Sequence, residues 1–416
     1  MMTTVTTESY VHKHLDCGIE LAALPLPKRH TVSVQIRFLV GFANEPEERL
    51  GLNHLVEQTI SKGTTERTGR ELSDAFDAIG VNWSSWAARE STGYHFTSLP
   101  EFAERALELH AEFLCSPTFP SDAIEVAIEN HIEEIKSIGD DPQDLSAKLF
   151  NRQVYGPVLG RHVLGEPETL RTLTPEHDKA HWREFYQAGR MQVAVAGAID
   201  VARLEDQLNA LFGTLGSAQK AGRVPFPHQF EPQVSHHAKD LEQQHIGICY
   251  PGAPLNDPQR YIQAVTMSIL SGGMSSRLFT EVREKQGLVY WVTANTEHPR
   301  GIGIVYLGAS SKPERCEKTY HTLLREIDRL GEDVEESELR RAIIGIVSKI
   351  ETRGDITRAH CSAMAEDIFQ LGEIVPTEYK VAMVQSVTIA DVKDYLDRFP
   401  RDRLSVLTLG PANITV

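Results

Sequence analysis

The sequence predicts a duplicated α/β unit. A strand-like alternation at Thr31 to Val40 leads into a helical segment around Asn53, and a stretch of Gly, Pro, Gln, His and Lys without periodicity separates it from a second half that repeats the element order of the first. Domains at 1–215 and 244–416, joined by a linker at 216–243, are therefore expected.

The elements follow from local pattern. Val32, Val34, Ile36, Phe38 and Val40 share one side of the first strand, the period of a half-buried strand. Gly69 to Ile79 reads as a helix ending at Gly80, and Val81 to Ala87 as a strand carrying Trp83 and Trp86. Glu101 to Leu114 is amphipathic and is stopped by Pro117 and Pro120. Ser121 is the expected cap of a long helix that ends before Pro142. Thr174 caps another to about Tyr186, with Pro175 in its first turn, and Met191 to Ile199 closes the half as an apolar strand. In the second half, strands are expected at His245 to Tyr250, Val289 to Ala294 and Ile302 to Ala309, and helices at Pro258 to Leu270, Pro313 to Leu330 and Glu335 to Thr352. Thr388 opens a last helix, and Leu404 to Gly410 echoes Val193 to Gly197.

Composition narrows the function classes. Lys plus Arg number 42 against 58 Asp plus Glu, a formal net charge of −16, which argues against nucleic acid or an anionic membrane as the partner. Cys17, Cys115, Cys249, Cys316 and Cys361 are scattered, odd in number and form no Cys-x-x-Cys, so buried free thiols in a reducing compartment are expected. With no basic segment followed by a long apolar run, and no run of membrane-spanning length, a cytoplasmic location follows as an expectation.

The chemistry-bearing stretch is Gly51-Leu52-Asn53-His54-Leu55-Val56-Glu57-Gln58. On a helix His54, Glu57 and Gln58 project from one face, because positions i, i+3 and i+4 do. A histidine in place of Gln58 would complete the inverted zinc-peptidase motif His-x-x-Glu-His, in which two imidazoles hold Zn²⁺ and the carboxylate takes a proton from metal-bound water. Leu55, Val56 and Ile60 can face a core, and Gly63 is expected as a left-handed stop. The second half offers no copy of this helix: Met267 to Gly273 contains no His or Glu.

With these features the chain resembles the pitrilysin/insulinase family of zinc peptidases, particularly the half-length members such as the mitochondrial processing peptidase subunits and bacterial heterodimeric relatives. The resemblance implies an α+β fold of two homologous α/β domains, each a mostly antiparallel sheet packed with helices. It also implies a glutamate as third zinc ligand, matched by Glu134 in Ile132-Glu133-Glu134-Ile135, with 75 residues between it and Gln58. Asp141-Pro142 and Leu164-Gly165 look like the family's downstream text. In the second half, Gly272 to Leu278 and Arg283 to Tyr290 are similar to its other signature, which implies that Arg283 and Tyr290 bind substrate backbone and stabilise the tetrahedral intermediate. A guanidinium and a phenol are good donors to a developing oxyanion. The bland alternatives are surface ion pairing for Arg283 and a half-buried strand position for Tyr290.

The departures fall in the metal half. Gln58 replaces the second histidine, and a neutral amide oxygen is a poor zinc ligand. Ala127 stands where the family carries a supporting glutamate, and Ser84 where it carries an asparagine on the substrate-binding edge strand. His131, on roughly the same helix face as Glu134, is either a replacement ligand or a core histidine. Glu57 is a general base with metal and a paired helix carboxylate without it. Most of the other histidines, the His236-His237 pair included, read as solvated surface. The expected function is a non-catalytic or weakly catalytic subunit of a heterodimeric peptidase, supplying Arg283, Tyr290 and half of a chamber for peptides. Its partner would be a homologous subunit with an intact motif, or a second copy of itself. The alternatives are a zinc endopeptidase active alone through a substituted ligand, and a structural subunit like the core proteins of a respiratory complex.

Overall fold

A computed structural model describes residues 9–216 and 225–414 of the chain. These form two compact units, and neither is a continuous half. The first draws on Met1–Lys136, Arg161–Val224 and Arg353–Pro376, and the second on Ser137–Gly160, Pro225–Thr352 and Thr377–Val416. The halves expected at 1–215 and 244–416 are thus each interrupted by a helix that belongs with the other unit.

The first unit is built on a six-stranded sheet in the order β1-β2-β6-β3-β5-β4. Its strands are β1 (Val11–His14), β2 (Glu20–Pro25), β3 (Val32–Phe38), β4 (Asn82–Ala87), β5 (Thr92–Ser98) and β6 (Met191–Gly197). All pairings are antiparallel except β2 with β6. On one face Val32, Val34, Ile36 and Phe38 pack against Leu55 and Val56 of the helix Leu52–Thr59, Phe76 of Gly69–Ala78, and Leu109 and Phe113 of Pro100–Cys115.

Strand β3 is not half-buried: every residue of it is shielded from solvent. Its polar side, Ser33, Gln35 and Arg37, is covered by the helix Thr357–Gln370, which arrives from far along the chain. Arg37 donates to Glu366 Oε2 at 2.9 Å and lies 4.4 Å from the centre of the Phe369 ring. Cys361, Met364, Ala365 and Ile368 of that helix close over Ala22, Leu24, Ala194 and Ala196. Alternation thus marks the two faces of β3 correctly, but it cannot reveal a cover supplied by residues more than 300 positions later.

The second unit repeats the plan. Its sheet runs β7-β11-β8-β10-β9, from β7 (Val234–Ala238), β8 (Gln244–Pro251), β9 (Val289–Glu297), β10 (Ile304–Ser311) and β11 (Ser405–Gly410). Position for position it matches β2-β6-β3-β5-β4, including the single parallel pair, here β7 with β11. The helix Pro142–Leu159 lies on this sheet: a Cβ on Gly247 would come within 3.2 Å of the Phe150 ring, and Gln153 Nε2 donates to Ser405 Oγ at 2.7 Å.

Several boundaries differ from expectation. The linker assignment at 216–243 lies partly outside the described residues, at 217–224, and partly on β7, an edge strand too exposed and polar to show alternation. His236 on β7 is accordingly bonded to Thr408 Oγ1 at 2.9 Å and is not simply solvated. Ser121 is the first helical residue, because the Pro120 carbonyl already accepts from Ile124. All five cysteines are free, and Cys17 and Cys115 are only half-buried. No helix of the described residues is long and apolar enough to cross a membrane.

Truncating Ile36, which is fully buried, to alanine leaves a cavity the sheet cannot close. Urea unfolding of Ile36→Ala is expected to show a loss of about 2–5 kcal/mol, whereas a loss below ~1 kcal/mol would mean that the covered strand is not the centre of this unit.

Candidate functional site

The helix Leu52–Thr59 is held from both ends and from behind. It starts at Gly51, whose φ of 94° is left-handed and whose missing Cβ would lie 2.5 Å from the Leu164 carbonyl oxygen. The Glu45 carboxylate caps its first turn, accepting from the Gly51 N–H at 3.0 Å and the Asn53 N–H at 2.6 Å. Burial pushes that carboxyl up to about 8, against the lowering pull of the two backbone bonds and Arg161. Asn53, fully buried, donates to Thr92 Oγ1 at 2.9 Å, and its Oδ1 lies 3.1 Å from His181 Nε2. Thr59 donates to Asp178 Oδ2 at 3.0 Å. Gly63 is not the left-handed stop expected of it, since the helix ends at Thr59. Its role is close approach, for a Cβ there would meet Thr118 Oγ1 at 2.6 Å.

In front, His54, Glu57 and Gln58 share a face as the spacing requires. Glu57 is only 2% exposed, and His54 Nε2 stands 3.4 Å from its Oε2. Gln58 Nε2 donates to the same carboxylate oxygen at 2.9 Å. Burial raises the Glu57 pKa, opposed by Ser85, Gln58 and Lys62. The His131 ring stacks on His54, with centroids 4.5 Å apart and planes 14° from parallel. Burial, reinforced by His131 and His162, lowers His54 to about 3, and burial lowers His131 to about 4, so both are neutral imidazoles near pH 7. The Nδ1 atoms of both are buried without a hydrogen-bond partner among the described residues.

The remaining metal-half residues are less closely gathered. Glu134 is solvent-exposed on the helix Ser121–Asp140, and Ala127 packs at the edge of the core. Ser84 is exposed on the edge strand β4, opposite His95 of β5. Its neighbour Ser85 is the one beside Glu57, a residue the sequence reading passed over; alternation from Trp83 would have found it. Glu57, Gln58, Lys62, Trp83 and Ser85 border an open cavity of about 880 Å³.

These donors do not suit a catalytic zinc, which takes three protein ligands and leaves a position open. His54 supplies one imidazole, Gln58 could offer only a neutral amide oxygen, a poor zinc ligand, and among the described residues no group of three His, Cys, Asp or Glu side chains could hold a metal ion.

Arg283 and Tyr290 belong to the second unit. Arg283 lies in the π-helical turn Leu278–Glu284, its guanidinium 5.0 Å from the centre of the Phe279 ring. Tyr290 stands on the edge strand β9 with 81% of its surface exposed, so it is not a half-buried strand residue. The nearby Arg277 is an anchor. It is buried, and it donates to Glu338 at 2.6 and 2.8 Å and to Asp333 at 2.6 Å, which pins the Gly272–Leu278 loop to the helix Glu336–Arg353.

Comparison with known proteins gives a consistent picture. Residues 22–166 match the family model described as insulinase (peptidase family M16), and residues 172–346 the model described as peptidase M16 inactive domain. An uncharacterized zinc protease of Rickettsia felis is 26% identical over 98% of this chain and 99% of its own length. The uncharacterized zinc protease YmxG of Bacillus subtilis is 28% identical over 74% of this chain and 77% of its own. Among solved structures, the peptidase M16 inactive domain from Pseudomonas fluorescens superposes with a TM-score of 0.89 at 19% identity, covering 98% of this chain and 100% of that one. A protease from Helicobacter pylori gives 0.86 at 16%, covering 97% and 99%.

The neutral histidines set a pH dependence. The unfolded chain binds protons at ordinary imidazoles near 6.5, while the folded chain refuses them at His54 down to about 3 and at His131 down to about 4, so stability is lost as pH falls through that window. Thermal unfolding between pH 8 and pH 4 should show a flatter acid limb in the double variant His54→Gln, His131→Gln than in the wild type. Parallel acid limbs would contradict this.

Proposed function

Because the chain belongs to the insulinase family of zinc peptidases, peptidase family M16, we propose that it is the non-catalytic or weakly catalytic subunit of a two-chain peptidase acting on peptides. It would contribute Arg283, Tyr290 and half of the chamber, opposite a homologous chain with an intact His-x-x-Glu-His. The observation that carries this reading is the hydrogen bond from Gln58 to Glu57. A carboxylate that is to act as general base needs a polarised water, and here it faces the amide of its own helix instead. The exposed Tyr290, and Arg283 lying over Phe279, support a binding role on the other unit.

A second reading, a peptidase active alone with His131 as substitute ligand, draws support from the orphaned Nδ1 atoms of His54 and His131. Against it, the two rings are stacked and nearly parallel, which leaves their in-plane lone pairs in separate planes.

The test is hydrolysis of an unfolded peptide by this chain alone, by its partner alone and by the mixture. The lone chain should stay near background and the mixture should be active. In the mixture, Arg283→Ala combined with Tyr290→Phe in this chain should lower kcat/KM by about 10²–10³. Robust hydrolysis by the lone chain, abolished by Glu57→Gln, would sink the proposal in favour of the second reading. A mixture indifferent to Arg283 and Tyr290 would fit a structural subunit.

A further inference from the structure

The last turn of the helix Leu52–Thr59 meets a buried carboxyl group. Asp178, the fourth residue of the helix Pro175–Phe185, is fully buried and is the one buried aspartate among the described residues. Its Oδ2 lies 3.0 Å from Thr59 Oγ1, and its Oδ1 is buried without a hydrogen-bond partner among the described residues. Thr59 Oγ1 also stands 2.6 Å from the carbonyl oxygen of Leu55, one turn back on its own helix.

Thr59 thus has one hydroxyl hydrogen for two acceptors, and it cannot donate to both at once. If Asp178 is ionised, the hydrogen turns to Oδ2, and the shorter of the two contacts, the one to Leu55, is left without a proton. The buried charge then has a single donor, although a carboxylate offers about four acceptor sites, and burying it so poorly met is costly. If Asp178 is protonated, the bond between the two side chains reverses: the acid O–H donates to Thr59 Oγ1, the hydroxyl donates to Leu55, and every hydrogen is used.

The surroundings favour the acid. Burial raises Asp178 to about 7 against the lowering pull of Thr59, and no cation among the described residues contributes. The buried titratable neighbours on its own segment are neutral: burial lowers His181 to about 3, and the Tyr186 phenol is pushed up, by burial first and in smaller part by Glu57 and Asp178. On the helix Leu52–Thr59 the charged group that acts on the same phenol is Glu57, itself an acid.

We propose that Asp178 is a carboxylic acid in the folded protein and works as a proton-operated latch. Its O–H, relayed through Thr59 to the Leu55 carbonyl, locks the last turn of the helix that carries His54, Glu57 and Gln58, and loss of the proton weakens that lock. The latch stands independently of whether this chain takes part in hydrolysis. The folded protein holds the proton more tightly than the unfolded chain does, so the stability it contributes is full below the ordinary 3.8 and is lost as pH rises to about 7.

Infrared spectroscopy of the full-length protein, with aspartate ¹³C-labelled at the side-chain carboxyl, reads the proton directly. A labelled carboxylic-acid C=O band is expected at pH 6; it should fade with a midpoint near 7 and be missing in Asp178→Asn, whose amide N–H can donate to Thr59 in the acid's place. Hydrogen exchange of the amides at 52–59 reads the latch. The opening equilibrium of the wild type divided by that of Asp178→Asn, a ratio in which shared groups such as His54 and His131 cancel, should rise about tenfold per pH unit between pH 5 and pH 7 and level off above. No labelled acid band at pH 6, a band that survives in Asp178→Asn, or a ratio that does not change with pH would overturn the proposal. If Asp178→Asn fails to fold, the wild-type band and its titration decide.

Discussion

A carboxylate as deeply buried as Glu57 needs a partner, and on this helix Gln58 supplies one through an N–H···O bond of 2.9 Å. That bond decides how the rest of the first unit can be used. An imidazole at position 58 would offer a nitrogen lone pair to a metal; the amide donates a hydrogen bond to the carboxylate, its oxygen is a poor zinc ligand, and His54 is left as the one imidazole of the motif, stacked on His131. His54, Glu57 and Gln58, three of the positions that would organise a zinc centre, meet in a polar contact of their own, while Glu134 stands apart on the exposed side of its helix.

The scaffold behind the helix is nevertheless elaborate. Glu45, Asn53, Thr59, Thr92, Asp178 and His181 are all buried, and their bonds fix both the start of the helix and its rotation. Burying such groups is costly unless they are satisfied, so within the Glu45–Asn53–Thr92–His181 set, and separately within the Thr59–Asp178 pair, a change in one member removes a bond from its partner. The position of the site is thus retained by packing and hydrogen bonding that do not depend on a metal. In the second unit, the ion pairs of Arg277 hold the Gly272–Leu278 loop in a comparable way.

Much of this was legible in the sequence because it is local. The face shared by His54, Glu57 and Gln58, the core side of β3, the caps at Thr174 and Thr388, and the repeat of element order all follow from short-range periodicity and turn chemistry. What escaped is non-local. The helix Thr357–Gln370 buries the polar side of β3, and the helix Pro142–Leu159 joins the other sheet; neither fact leaves a trace in a window of neighbouring residues. Ser85 was hidden by attention to Ser84, and β7 by its exposed edge position. Gly63 was expected as a left-handed stop because a close approach and a left-handed φ both select glycine; the close approach is what it serves, and the left-handed φ falls at Gly51.

The central claim is that Gln58, by holding Glu57, takes the place of a metal ligand. Elemental analysis of the purified full-length protein after dialysis against trace zinc tests it most directly, with Gln58→His prepared alongside. The wild type should hold well below one zinc per chain, and Gln58→His, which restores the second imidazole beside His54, should approach one. A wild type that retains one zinc per chain, with no gain in Gln58→His, would contradict the account.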